Sequence, residues 1–128
     1  MNVYAVTHLI EAEAPIVLKE SYDNVGLLIG DGSMEVQGVL IAIDITEAVI
    51  DEAIAGNFNL IISHHPLIFG GLKKITGSTD VQRSVIKAIK HDIAIYAAHT
   101  NIDNVINGVS GRMADKLGLI NKQVLIPK

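Results

Sequence analysis

The stretch GVLIAIDITEAVIDEAIAGNFNLIISHHP, residues 38–66, decides the fold. It opens on a continuous apolar run rich in β-branched residues (38–44), the pattern of a strand buried on both faces of a parallel sheet. Thr46 then supplies an N-cap, Val49, Ile50, Ala53 and Ile54 make one helical stripe, and Gly56 stops the helix. Residues 60–62 form a second buried strand. Toward the C-terminus, 66–78 reads as a Gly-rich loop. Thr79 caps a helix with the stripe Val81, Val85, Ile86 and Ile89, and 93–98 is a third strand. A polar loop follows, HTNIDNVINGVSG, and then Val109, Met113 and Leu117 recur at i, i+4, i+8 on a last helix stopped by Gly118. Toward the N-terminus, Asp23-Asn24 marks a turn before a short strand at 25–29. Val3, Val6 and Ile10 stripe an amphipathic helix over 3–13, ended by Pro15. Residues 124–126 read as one more short strand. The β-α-β-α-β-α order predicts an α/β fold, a mostly parallel sheet with alternating helices and right-handed crossovers.

Composition narrows the function classes. At 128 residues the natural count is a single α/β domain, and 49% hydrophobic content excludes disorder as the main state. Cysteine is absent, which removes disulfide scaffolds, thiolate metal sites and a cysteine nucleophile. A net charge of −4 with only 10 Lys and Arg argues against a non-specific nucleic-acid binder. Trp is absent and aromatics total 4%, so base-stacking platforms are poorly supplied. No segment has the apolar length of a membrane span. The first residues carry Glu11 and Glu13 and no basic residue before Lys19, unlike a secretory signal, so a cytoplasmic location is expected.

In open α/β sheets ligands gather beyond the carboxyl ends of the strands. Those ends carry Asp44, then Ser63-His64-His65, then His99 followed by Asp103. Histidine with carboxylate and no thiol is the ligand set of a hydrolytic Zn, Fe, Mn or Mg site. Neighbouring side chains on an extended chain point to opposite faces, and Pro66 favours extended geometry at His65. His64 and His65 are therefore expected to diverge and to serve two ions, or one ion with the other histidine supporting a ligand; Asp103 can bridge two ions, with a metal-bound hydroxide as nucleophile. His99 is read as the group that tunes a ligand or moves a proton, against a role in holding its loop. Asp103 as a turn or cap residue, and Asp44 as a cap of the following helix, are the plainer readings. His8 reads as a surface residue, His91 as a helix C-terminal one, and Lys73 and Lys74 as solvated loop charges rather than anion contacts. Neither a Walker A loop, a G-x-G-x-x-G nor a G-x-S-x-G elbow occurs.

SYDNVGLLIG (21–30), DITEAVIDEAI (44–54), SHHPLIFGGLKKIT (63–76) and AAHTNIDNVINGVS (97–110) occur in an order that resembles the GTP cyclohydrolase I type 2 homologues, the NGG-one-interacting-factor-three-like proteins. The resemblance runs from about Val3 to Leu119. It implies an α/β protein of two related halves, this chain being the N-terminal lobe, with two divalent metal ions held between them. His64, His65 and Asp103 match the first half's ligands. The second half's His-x-x-x-Glu motif has no counterpart here, because no His follows His99. The resemblance further implies a homo-oligomer, a toroidal hexamer, and a small-molecule substrate of the purine nucleotide class such as GTP. The alternatives from other classes are a non-catalytic metal-binding or protein-interaction module and a nucleic-acid-associated ring.

Overall fold

Thr46 and Thr79 start the two helices that connect successive parallel strands. The Thr46 hydroxyl accepts from the Val49 N–H and the Thr79 hydroxyl from the Gln82 N–H, each satisfying a donor that a helix start leaves free. A computed structural model of the chain describes residues 1–126. Its elements are α1 (Val3–Glu13), a 3-10 turn (Ile16–Leu18), β1 (Gly26–Ile29), β2 (Val39–Ala42), α2 (Glu47–Ala55), β3 (Leu60–Ser63), α3 (Asp80–Lys90), β4 (Ala94–Ala97), α4 (Thr100–Asp103) and α5 (Val109–Lys116).

The sheet order is β1-β4-β3-β2. Strands β2, β3 and β4 are parallel, linked by α2 and α3. Both linking helices lie on one face, as two crossovers of like hand progressing in one direction require. Under them Ile50, Ala53, Ile61, Val85, Ala88 and Ile95 form one core cluster. The strand alternation sends Leu60, Ala94 and Tyr96 to the opposite face, where Val3, Val6 and Ile10 of α1 pack on them. The Tyr96 hydroxyl, at the end of a fully buried side chain, donates to Glu11 on α1 at 3.2 Å. Burial pushes this phenol well above its ordinary range, and the Glu11 charge adds to the rise.

Strand β1 runs antiparallel to β4, the one reversal in a mostly parallel sheet. Its register shifts between Leu27 and Ile29, and Gly30 follows at φ +99 with its missing Cβ position 2.7 Å from the Ala94 Cα. Only glycine permits both that backbone and that approach.

Several sequence expectations need correction. Strand β2 is an edge strand and is not buried on both faces. Ile41 is 77% exposed and Ile43 66%, because α1 covers only the part of its face nearer β1 and β4. The stripe Val109, Met113 and Leu117 on α5 is likewise exposed, as is Ile89 of α3. The start of the 99–111 polar loop is helical over α4. Residues 124–126 form no strand. Among the described residues no helix is long and apolar enough to cross a membrane.

Candidate metal centre

Strands β3 and β4 end in register, Ser63 opposite Ala97, so the residues after them emerge from one edge of the sheet. His64, His65 and His99 meet there. One ring nitrogen of each lies within 4.8 Å of the others. The ring centroids of His64 and His65 are 5.0 Å apart, and His99 stands edge-on to both at 5.1 and 5.5 Å. The expected divergence of His64 and His65 is thus corrected. The chain leaves extended geometry after Ser63, and the Ser63 hydroxyl donates to the His65 carbonyl at 2.8 Å, closing a local turn. Face alternation holds only while the strand continues.

Each imidazole is anchored through Nδ1. His64 Nδ1 lies 3.1 Å from the Ala98 carbonyl, His65 Nδ1 2.7 Å from Asp44 Oδ1, and His99 Nδ1 2.9 Å from Asp23 Oδ1. A carbonyl and two carboxylates can only accept, so in all three rings Nδ1 carries a proton, and in the neutral ring the lone pair is on Nε2. This is the tautomer that a metal-ligating histidine needs, fixed in the way such ligands are usually fixed. Asp44 therefore serves His65; the N-cap of α2 is Thr46. Asp103, at the end of α4, brings Oδ2 to 3.9 Å from His64 Nε2. Two atoms each about 2.0–2.2 Å from a zinc-type ion can be separated by that distance. Nitrogen and carboxylate donors without sulfur fit a divalent ion of the Zn, Mn or Fe type.

Beneath His99 lies the most constrained carboxylate of the site. The Asp23 side chain is fully buried. It accepts from His99 Nδ1, from the Thr100 N–H at 3.0 Å, from the Asn24 N–H at 2.7 Å and from the Thr100 hydroxyl in a very short bond. Burial pushes its carboxyl up, but the bonds from His99, Thr100 and Asn24 outweigh burial together and hold it at about 2. Asn101, fully buried, accepts from the His99 N–H at 3.0 Å and donates to the Ala14 carbonyl at 2.7 Å. Sequence reasoning missed both residues. Asp23 reads as a turn residue, and only the fold brings it to a strand end 76 positions later.

The cluster opens beside an apolar groove of about 460 Å³ lined by Ile41, Ile43, Ile62, His64, Ile102 and Val109. The other sequence candidates stay apart from it. His8 is exposed on α1 beside Tyr4, His91 forms the C-cap of α3, and Lys73 and Lys74 are exposed in their loop.

The sequence profile of Duf34/NIF3 (NGG1p interacting factor 3) matches residues 1–128. The chain is 42% identical over 125 residues to a protein of Clostridium acetobutylicum named GTP cyclohydrolase 1 type 2 homolog, covering 98% of this chain and 47% of that protein. A protein of the same name from Halalkalibacterium halodurans is 48% identical over 126 residues, covering 98% of this chain and 34% of its own length. Among solved structures, the Bacillus cereus protein related to NIF3 superposes with a TM-score of 0.92 at 46% identity, covering 100% of this chain and 36% of that one. Reduced HcgD from Methanocaldococcus jannaschii superposes at 0.90 and 30% identity, covering 98% and 50%. The chain thus spans between a third and a half of the relatives it matches.

Proposed function

The chain belongs to the Duf34/NIF3 family, and from that premise we propose that it is the metal-binding lobe of a divalent-metal hydrolase. The observation that carries this reading is the common anchoring of His64, His65 and His99 through Nδ1, which leaves three Nε2 lone pairs at one sheet edge. His64 and Asp103 would hold one ion, and His65, backed by Asp44, would help to hold a second. Such ions, when bound, lower the pKa of a water ligand toward neutrality and polarise the bond it attacks. His99, its Nδ1 fixed by Asp23, has Nε2 to take up and return a proton. A purine nucleotide is the substrate class that the relatives' name suggests.

The uncovered groove beside His64 supports a further element of the reading, that a second lobe or a second copy of the chain closes the site as part of a homo-oligomer. It also favours one alternative, a non-catalytic metal-binding module whose purpose is assembly. The test is titration of the metal-free chain with Zn, Mn, Fe and Mg, followed by hydrolysis assays on phosphoesters, cyclic amides and nucleotides. The assays are run on the chain alone and with the remaining portion of a relative supplied. Tight binding with turnover supports the hydrolase, and tight binding without turnover in either form supports the module. Failure of every metal to bind overturns both.

A further inference from the structure

The chain holds 3 Tyr, 2 Phe and no Trp. Tyr96 is buried in the core, Phe58 packs against Gly38 and Gly56, and Tyr4 stacks on His8 away from the site. The remaining two converge on the histidine cluster. Phe69 stands edge-on to His99, centroids 6.5 Å apart at 80°, and Tyr22 meets Phe69 at 6.5 Å and 53°. Both rings are largely in solvent, Tyr22 67% and Phe69 54% exposed. Leaving such rings in water forgoes burial that would stabilise the fold.

Their exposure is held by a rigid framework. The Asn24 side chain donates to the Ile68 carbonyl at 2.6 Å, tying the two loops together beside both rings. Asp23, next to Tyr22, is bonded to His99. The same contacts that orient His99 therefore anchor the backbone next to the two aromatic residues.

We propose that Tyr22 and Phe69 form a stacking rim for the planar ring of a ligand whose anionic group lies at the histidine cluster. The proposal rests on the metal-centre reading for the anionic end and on the ring geometry for the planar end. A planar ring lies against the exposed face of either side chain as one aromatic ring packs on another. A saturated ring of the same size lacks that contact.

The test is calorimetric binding of phenyl phosphate against cyclohexyl phosphate to the zinc-loaded full chain. Phenyl phosphate is expected to bind about three- to ten-fold tighter. Tyr22→Leu and Phe69→Leu reduce that preference toward unity, Phe69→Tyr retains it, and zinc affinity stays unchanged in all three. Equal binding of the two probes to the wild type, or a preference that survives both leucine substitutions, overturns the rim. If zinc fails to bind, the metal-centre reading falls. The comparison is then made on the metal-free chain, where a phenyl preference sensitive to the leucine substitutions supports the rim and its absence overturns it.

Discussion

Asp23 Oδ1 and His99 Nδ1 lie 2.9 Å apart although 76 positions separate them in sequence. This bond joins the turn before β1 to the loop after β4, and its carboxylate is the hub of a fully satisfied buried network. Asp23→Ala removes an acceptor of four hydrogen bonds and leaves the Thr100 and Asn24 N–H groups without it. The expected cost is about 3 kcal/mol of unfolding free energy, measured by urea denaturation. Asp23→Asn, of nearly the same shape, turns an NH2 toward donors and is also destabilising, by less. A loss under about 0.5 kcal/mol for Asp23→Ala would show that the network contributes nothing to the fold.

The same carboxylate makes stability depend on acid. Its folded pKa, about 2, lies below the ordinary aspartate value of 3.8, so the ionised form is the one that folding favours. The contribution is complete above pH 4 and disappears as pH falls through 2. From the size of the shift it is worth about 2 kcal/mol at neutral pH in the metal-free chain. The stability gap between the wild type and Asp23→Asn should therefore narrow steadily from pH 5 to pH 2.5. A gap that is constant over that range would rule out the linkage.

Which parts of this were legible in sequence follows from the range of the interaction involved. Thr46, Thr79 and Gly56 act within a turn of helix, and their caps stand where their spacing put them. The parallel β2-β3-β4 order follows from the alternation of strands and helices. The direction of β1 does not, since an apolar period of two is the same for either direction. Ile41 and Ile43 read as core because apolarity registers a preference for burial, whereas the edge position of β2 decides whether burial is available. The gathering of His64, His65 and His99 at strand ends was visible in the spacing. Their convergence was not, because it depends on the turn closed by Ser63.

Metal affinity and proton handling should separate by residue. His64→Ala removes a nitrogen that faces Asp103 at 3.9 Å and is expected to weaken zinc binding by more than about 100-fold. Asp44→Asn keeps His65 but loosens its orientation, for a loss of about 10-fold. His99→Gln is expected to leave zinc affinity within a few-fold while abolishing turnover in any form of the protein that hydrolyses substrate. Competition with a chromophoric chelator reads the first quantity and a hydrolysis assay the second. A loss of zinc affinity in His99→Gln equal to that in His64→Ala would make His99 a ligand.

Ile41 of β2 and Ile43 just after it give a prediction about assembly with its own control. Ile41 and Ile43 lie on the uncovered face, whereas Ile61, on the neighbouring strand, is fully buried under α2 and α3. Replacing Ile41 and Ile43 with Lys removes no core contact, so the unfolding free energy should change by no more than about 0.5 kcal/mol per site. Ile61→Ala opens a cavity and should cost about 2–5 kcal/mol. If the β2 face is the surface on which copies of the chain associate, the double lysine variant shifts the light-scattering mass toward the monomer at concentrations where the wild type is larger. Charge placed on a face that meets an apolar partner is left buried and unpaired, and that cost opposes association. A wild type that is monomeric at high concentration, or a double variant whose mass equals that of an associated wild type, would remove this face from the assembly.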